Sequence, residues 1–490
     1  MPAMRERPNI LIFVMDTQPV RNMVPYGYEK PTTPNVARIA AEGLVYENHF
    51  VTGSWTVPSH ASLFTGKYQT GHGIGGQHEY LSPSLPTMAE LLNRCGYQTA
   101  GFSNNTWVNQ DDTNIARGFQ EFVLVRRPRG QNPQIGPEDD FVVEDEVDSG
   151  SAQTVELVRQ WFANSYDGDR PFFLFINCVE PHLRVWAPEP FRSQFLQSGI
   201  DESEARAVNQ DIFAERLGRV PGRPDGYMNE HDWAILKSLY DGETACLDQR
   251  MGQLFDHLRS LKLLDDTLLL IISDHGDLLE RKGMMGHHLS LFDDLVHTPF
   301  IARWPGVVPA GRRFDGFVQI CDLFPTLLDL LQVEDDSLWH EMQGVSLTPT
   351  WSGETVRDFA VSEYMKPLQT VERALRHDPE FNYRLWLRRL KTIRTHEWKY
   401  HWCSDGRDML FRIDTDPGER DNVLEVNPQQ AAELRHKLEA FLMTLERHDY
   451  GDRLRNHGFR NVRWDNVDKL RAWGLYRDVS PFPAPYHKDK

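Results

Sequence analysis

The segment Thr56–Gly66, with the sequence TVPSHASLFTG, follows an apolar, strand-like run that ends near Val51. Pro58 suits the first turn of a helix, because its missing N–H group would have no partner there. Unpaired N–H groups and the helix dipole favour negative charge at that end, so the Thr56 hydroxyl is a candidate nucleophile. It would still need a base or a metal for activation. The alternative is that Thr56 only caps the helix, and the segment alone does not decide between the two.

Carboxylates follow two other apolar runs of the chain. Residues 8–16 (PNILIFVMD) predict a buried parallel strand that ends in Asp16, and residues 266–272 predict another that is followed by Asp274 and His275. Ligands of open α/β sheets gather at the carboxyl ends of strands. Asp16 is therefore well placed to hold a metal or, equally, to cap its loop, whereas a carboxylate beside an imidazole is a good pair for a divalent cation.

Length and composition describe an ordinary globular protein. A chain of 490 residues favours two domains, and a formal charge of −18 argues against a general nucleic-acid binder. The 5 cysteines are widely spaced, and we expect reduced, mostly buried thiols and a cytoplasmic location. No apolar run approaches the length of a membrane span, so no membrane partner is expected.

The segment at Thr56 resembles the signature of the sulfatases, a family of the alkaline phosphatase superfamily. That signature runs Cys (or Ser)-x-Pro-x-Arg and then Ala-Ser-Leu-x-Thr-Gly, and its first residue is oxidised to formylglycine, the nucleophile. This chain keeps the frame but has Thr56 for the Cys and His60 for the Arg. Threonine cannot become formylglycine, so no formylglycine is expected. The family usually has two Asp residues in tandem after the first strand. This chain has Asp16 and Thr17 instead, so the resemblance implies that one ligand is missing, as it is in the phosphonate monoester hydrolase branch.

The resemblance also implies substrate-binding residues. After the strand expected at residues 97–102, sulfatases carry Gly-Lys-Trp-His, whose Lys and His grip sulfate. By register, Asn104 and Thr106 occupy those positions, where both can donate a hydrogen bond to a phosphoryl oxygen without bringing charge. The alternative is a polar turn.

Two histidines complete the implied site. His182 follows the strand at residues 172–178 in a Pro-His pair, and the family's histidine contacts the anionic head or the leaving group there. His287 stands where relatives have a Lys that neutralises the oxyanion, which an imidazole does only when protonated. A neutral His287 would instead hold a second metal with His182, and with Glu180 or His288.

The resemblance extends to about residue 445 and implies the architecture. We expect an α/β fold, a doubly wound mixed sheet flanked by helices, over residues 1–345, and a small antiparallel sheet with one helix over residues 346–446. Residues 447–490 form an aromatic, mildly basic tail that we interpret as a strap on the same chain or on a second copy in a homo-oligomer. Residues 126–150 are expected to be a solvated surface insertion, and residues 190–230 an irregular insertion with short helices that forms a wall of the pocket.

The hypothesis is a metal-dependent hydrolase of phosphodiesters or phosphonate monoesters, with a small anionic ester as its partner. Asp16, Asp274 and His275 would hold Mn²⁺ or Zn²⁺, with Ca²⁺ or Mg²⁺ as alternatives, and Thr56 would complete an O,O,O,N site. Thr56, oriented by His60, would form a covalent phosphothreonine. A threonine sulfate lacks the exit that a formylglycine hydrate has, which favours phosphorus over sulfur. A sulfatase, a phosphotransferase and a catalytically weak anion-binding protein remain as alternatives.

Overall fold

The structure is a computed structural model that describes residues 7–75, 79–125, 148–208, 228–365, 371, 383 and 386–448. The strands are β1 (Asn9–Met15), β2 (Leu44–Phe50), β3 (Gln98–Ser103), β4 (Glu121–Leu124), β5 (Phe172–Cys178), β6 (Thr267–Ile272), β7 (Leu278–Leu279), β8 (Met285–Gly286), β9 (Phe300–Arg303), β10 (Arg312–Gln319), β11 (Ala360–Tyr364), β12 (Leu390–Arg394), β13 (Trp398–Cys403) and β14 (Met409–Arg412). The helices are α1 (Pro34–Ala41), α2 (Thr56–Thr65), α3 (Gln69–His72), α4 (Met88–Arg94), α5 (Ser151–Asn164), α6 (Phe191–Phe195), α7 (Glu202–Ala207), α8 (Glu230–Ser260), α9 (Asp293–Val296), α10 (Leu323–Leu330), α11 (Asp336–Glu341) and α12 (Pro428–Thr444).

The central sheet has eight strands in the order β10-β2-β9-β6-β1-β5-β3-β4. Strand β9 runs antiparallel to both β2 and β6, and the other neighbouring pairs are parallel. Parallel neighbours need crossover connections, which the helices between the strands supply. The predicted doubly wound mixed sheet is confirmed.

The sheet is buried on both faces, and strand β1 explains why its sequence is a continuous apolar run. Ile10, Ile12 and Val14 pack on one face with residues of α2, α4 and α10. Leu11 and Phe13 pack on the other face with residues of α1, α5 and α8. Because side chains alternate along a strand, a strand covered by helices on both sides needs apolar residues at every position.

The register of the central strands brings four loops to one edge of the sheet. Met15 of β1 pairs with Cys178 of β5, and Val14 pairs with Ile272 of β6. On the other side of β5, Ser103 of β3 pairs with Asn177. The segments that follow β1, β3, β5 and β6 therefore start side by side, and this edge is where ligands of such sheets bind.

A second, smaller sheet follows in the chain. Its four antiparallel strands have the order β11-β12-β13-β14, and helix α12 packs Leu434 and Leu438 against Ile393 and Tyr400 on one face. The predicted small antiparallel sheet with one helix is confirmed, whereas its boundary at residue 345 stays a prediction.

Five strands were not predicted: β4, β10, β11 and the two-residue strands β7 and β8. Strand β4 is largely exposed, and β10 is interrupted by an irregularity between Phe314 and Phe317, so neither has a clean apolar pattern. Most of the two predicted insertions (residues 126–147 and 209–227) and the tail from residue 449 onward lie outside the described residues. Within the described residues, no helix is both long and apolar enough to cross a bilayer.

Candidate active site

Three predicted ligands meet at the carboxyl edge of the sheet. Asp16 follows β1, and Asp274 and His275 follow β6; all three side chains are fully buried. One ligand atom from each lies within 4.8 Å of the others. A carboxylate pair with one imidazole at this spacing suits a divalent cation such as Zn²⁺ or Mn²⁺.

The hydrogen bonds of His275 indicate that this cluster is built for a cation. Its Nδ1 lies 3.0 Å from the carbonyl oxygen of Gly276, which can only accept, so Nδ1 carries the proton. The lone pair of Nε2 then faces Asp16 Oδ1 at 3.6 Å and Asp274 Oδ2 at 3.4 Å. Lone pairs turned toward carboxylate oxygens repel one another unless a proton or a metal ion lies between them.

The pKa values of Asp274 and His275 also favour a bound cation. Burial raises the pKa of Asp274 to about 8 and lowers the pKa of His275. Asp274 Oδ2 accepts no hydrogen bond from any described residue, although it is fully buried. A buried carboxylate oxygen without a donor is costly, and a cation would both satisfy it and restore the ionised form. The residues present therefore fit a divalent metal ion.

Thr56 lies beside this cluster. It is the first residue of α2, and Trp55 occupies the N-cap position, so the capping alternative for Thr56 is wrong. Its Oγ1 is 3.4 Å from His275 Nε2 and 3.3 Å from Asn105 Nδ2. The hydroxyl is thus within reach of an ion held by the three ligands, at the end of a helix that favours negative charge.

Asn105 is the residue that the sequence analysis missed. It is buried, and its Nδ2 donates to Asp16 Oδ2 at 2.5 Å as well as to Thr56. Its Oδ1 accepts from the backbone N–H of Trp107 at 3.0 Å, which fixes the amide with its donor toward the ligands. Asn105 therefore links a metal ligand to the candidate nucleophile. The signal in the sequence was the tandem of two asparagines directly after β3.

The structure corrects the prediction that Asn104 binds the substrate, which came from aligning it with the sulfate-binding Lys of the sulfatases. Asn104 Oδ1 accepts from the Val179 N–H at 2.6 Å, while its Nδ2 donates to Glu180 Oε2 at 3.2 Å and the Ser149 carbonyl at 3.3 Å. These bonds tie the ends of β3 and β5 together. The side chain is turned away from Thr56 because successive residues after a strand point in opposite directions, so Asn105 takes the place at the ligands.

His60 does not contact the Thr56 hydroxyl in the way expected of an orienting residue. Its Nδ1 donates to the Thr56 carbonyl oxygen at 2.9 Å and lies 3.5 Å from Asp274 Oδ2. Burial lowers its pKa to about 4, so the imidazole is neutral at pH 7. His60 therefore supports the backbone of the first helical turn and lies beside the Asp274 carboxylate without bonding to it.

A row of imidazoles leads from the ligands toward the surface. The His287 ring centroid lies 4.5 Å from that of His275, 4.9 Å from that of His182 and 4.5 Å from that of His288. His287 is buried, whereas His182 and His288 are partly exposed. The structure thus brings His182 and His287 together beside the three candidate ligands, and their contact with a substrate stays a prediction.

The two-metal alternative finds no support in this arrangement. Among the described residues, Asp16, Asp274 and His275 make up the only group of three potential ligands with atoms this close. Glu180, the proposed carboxylate of the second site, is fully buried and accepts from the Ser151 N–H at 2.9 Å and from Asn104. Its carboxylate caps helix α5 instead.

Two threonine hydroxyls near the site have no hydrogen-bond partner among the described residues, those of Thr17 and Thr106. Thr17 has a φ angle of 59°, a rare conformation for a β-branched residue, and its N–H lies 3.4 Å from Asp274 Oδ1. Such strain occurs at functional sites. Substrate binding by Thr106 stays a prediction.

Comparison with known proteins identifies relatives of this chain. Residues 8–333 match the family model described as Sulfatase, and residues 287–448 match the one described as N-sulphoglucosamine sulphohydrolase, C-terminal. The chain is 25% identical over 451 residues to the choline-sulfatase of Rhizobium meliloti, covering 86% of this chain and 83% of that one. It is 24% identical over 484 residues to an N-acetylglucosamine-6-O-sulfatase of Bacteroides thetaiotaomicron, covering 85% and 83%. The crystal structure of the phosphonate monoester hydrolase of Agrobacterium radiobacter has a TM-score of 0.69 at 22% identity, covering 89% of this chain and 96% of that one.

Proposed function

The chain belongs to the sulfatase family of ester hydrolases, and on that premise we propose that it hydrolyses phosphodiesters or phosphonate monoesters through a covalent Thr56 intermediate. The observation that carries the proposal is the position of Thr56 Oγ1, 3.4 Å from the Nε2 atom of the ligand His275. The side chain at this position is a secondary alcohol, which no oxidation to formylglycine can reach.

The first step is an in-line displacement at phosphorus. Thr56 Oγ attacks phosphorus and gives its proton to solvent water, the bond between phosphorus and the leaving oxygen breaks, the leaving group departs as an alkoxide, and a phosphothreonine (or phosphonylthreonine) forms. A divalent ion held by Asp16, Asp274 and His275 would lower the pKa of the Thr56 hydroxyl and neutralise charge on the phosphoryl oxygens. Asn105 donates its amide hydrogen bond to Thr56 Oγ1 and so positions the attacking oxygen.

The remaining steps use the imidazoles beside the ligands. His182 and His287 lie next to each other on the side of His275. In their protonated form they would donate to the phosphoryl oxygens or to the departing alkoxide, which is the main way that proteins assist phosphoryl transfer. Water then attacks the same phosphorus, the Thr56–phosphorus bond breaks, and the hydroxyl is regenerated.

Phosphorus is favoured over sulfur because of how the intermediate must decompose. A sulfated formylglycine hydrate expels sulfate by re-forming its aldehyde, with cleavage of a carbon–oxygen bond. A sulfated threonine has no such route, whereas a phosphothreonine is open to attack by water at phosphorus. The sulfatase names of the relatives favour the second candidate, a sulfuric ester hydrolase that uses the same pocket.

The test is a turnover panel with the zinc- or manganese-loaded protein. It compares aryl esters of a phosphate monoester, a phosphodiester, a phosphonate monoester and a sulfate in the wild type, Thr56→Ala and Thr65→Ala. Thr65 is the matched control, because it is a buried threonine of the same helix whose hydroxyl donates to the Ala61 carbonyl at 2.6 Å. We expect diester or phosphonate turnover that falls at least about 10³-fold in Thr56→Ala and changes little in Thr65→Ala.

Acid-quenched wild-type reactions should also carry one phosphoryl or phosphonyl group on the peptide that contains Thr56. Turnover that survives in Thr56→Ala would refute the nucleophile. Turnover of the sulfate alone would identify a sulfatase, and turnover that requires an added alcohol would identify a phosphotransferase. Metal binding without turnover of any ester would point to an anion-binding protein.

A further inference from the structure

The small sheet packs directly against the segment that leads to Thr56. The N–H of Glu363 donates to the Thr52 carbonyl at 2.8 Å, and the Ser362 hydroxyl donates to the Val51 carbonyl at 2.6 Å. Both donors lie on β11, and both acceptors lie a few residues before the candidate nucleophile. The first strand of the small sheet therefore extends to the edge of the active site.

The last residue of β11 reaches the histidines. The hydroxyl of Tyr364, a residue only 4% exposed, lies 3.3 Å from His288 Nδ1. The His288 ring centroid is 4.5 Å from that of His287 and 6.0 Å from that of Trp55, the residue before Thr56. His288 and Trp55 are both partly exposed, so they lie between the buried ligands and solvent.

A buried ion cluster holds the same histidine segment from its other end. Lys399 of β13 is fully buried and donates to the Leu291 carbonyl and to Asp293 Oδ1, both at 2.6 Å, and it lies 3.1 Å from Glu419 Oε1. Arg394 of β12 adds a bond to Asp293 Oδ2 at 3.1 Å. Two cations thus face two carboxylates, and the segment between β8 and α9 is fixed to the small sheet just beyond His288.

We propose that Tyr364 is the positioning residue for His288 and that His288 is a substrate-binding residue on the solvent side of the active site. The hydrogen bond between Tyr364 and His288 sets the direction of the imidazole, and the Lys399 cluster holds the backbone segment that carries it. An ester entering toward Thr56 would pass His288 and Trp55 before reaching His287. The inference rests on the proposed function only in taking the site around Thr56 as the place where the ester binds.

The experiment is a double-mutant cycle of Tyr364→Phe and His288→Ala, measured as kcat and KM on the best ester of the panel. We expect Tyr364→Phe to lower kcat/KM about fivefold, mainly through KM, as for the loss of one hydrogen bond. In the His288→Ala background the same change should have an effect of less than about 1.5-fold, because residues that act through each other are not additive.

Tyr400→Phe is the matched control. Tyr400 is another buried tyrosine of the small sheet, but it packs on the α12 face and its hydroxyl bonds to Asp408. It should leave kcat/KM within about twofold of the wild type, as expected for a bond far from the substrate. Zinc affinity, measured by chelator competition, should be the same in wild type and Tyr364→Phe.

The inference fails if Tyr364→Phe leaves kcat/KM unchanged, if its effect persists in the His288→Ala background, or if Tyr400→Phe matches its effect. These outcomes are separate from those that test Thr56. The cycle can be measured on whichever ester is turned over. If the enzyme is specific for sulfate esters or uses a different nucleophile, the same changes in kcat/KM still test the roles of Tyr364 and His288.

Discussion

Replacing Asn105 by alanine is expected to weaken metal binding and turnover together. In the structure its amide donates to Asp16 Oδ2 at 2.5 Å and to Thr56 Oγ1 at 3.3 Å, in a position that is 3% exposed. The change removes both bonds and leaves a buried carboxylate oxygen without its donor. The same side chain thus supports a ligand and the attacking oxygen.

The size of the effect follows from these two bonds. A bond to a buried carboxylate contributes about 1.5–3 kcal/mol and a longer bond to a hydroxyl about 0.5–1 kcal/mol. Their sum, about 2–4 kcal/mol, corresponds to a loss of roughly 30- to 1,000-fold in kcat/KM. Loss of a residue that orients a metal ligand lowers metal affinity by about 10- to 100-fold.

The assay combines chelator-competition titration of zinc with kcat/KM at saturating metal. Asn109→Ala is the control, because Asn109 is equally buried in the same loop but donates to the Thr106 carbonyl at 2.6 Å rather than to a ligand. It should cost folding stability while leaving zinc affinity unchanged. Zinc affinity and kcat/KM within threefold of the wild type in Asn105→Ala would refute the role of this amide.

Three further predictions concern stability and metal binding. Removing the metal with a chelator should lower the melting temperature measured by calorimetry. Metal returned at about 100 times its Kd should restore about 2.7 kcal/mol of the free energy of unfolding. An unchanged melting temperature would contradict the metal site. Burial lowers the pKa of His72 to about 3, so the folded protein binds fewer protons than the unfolded chain below pH 6.5. The free energy of unfolding should therefore decrease as the pH is lowered from 6.5 to about 3, by up to roughly 4 kcal/mol. His72→Gln should reduce the slope of the free energy of unfolding against pH, measured by urea denaturation. His436→Gln is the control, because His436 is exposed, and it should leave the slope unchanged. Gly276→Ala should lower zinc affinity at least about tenfold. A Cβ atom at this position would lie 1.9 Å from the Asp294 carbonyl oxygen and displace the adjacent loop that carries the ligands. Unchanged zinc affinity would contradict this prediction, because the loop would then accommodate the methyl group.

Much of the central fold could be predicted from local patterns. The strands that end at Asp16 and before Asp274 are continuous apolar runs, because both of their faces are covered by helices. Strand β10 escaped prediction because charged residues and a register shift interrupt its pattern. The first strand of the small sheet likewise escaped, although it supplies Tyr364.

The sequence was sufficient to predict which loops form the candidate active site. It was not sufficient to predict which side-chain atoms come into contact there. Thr56, Asp16, Asp274 and His275 all follow or begin elements whose ends face one edge of a parallel sheet, so their types and positions suggested a metal site. The choice between Asn104 and Asn105 depended on the turn after β3, where one residue of offset reverses the direction of a side chain.

The sequence by itself determined the main strands of the central sheet, the residues that follow them and the impossibility of formylglycine at Thr56, because these depend on local periodicity and on the chemistry of one side chain. Only the tertiary structure decided that Thr56 Oγ1 and His275 Nε2, 219 residues apart, lie 3.4 Å from each other, that Asn105 joins the ligands, and that Tyr364 reaches His288. Such contacts arise from the packing of elements far apart in the chain, where small rotations of a backbone turn decide which polar atoms share a buried space.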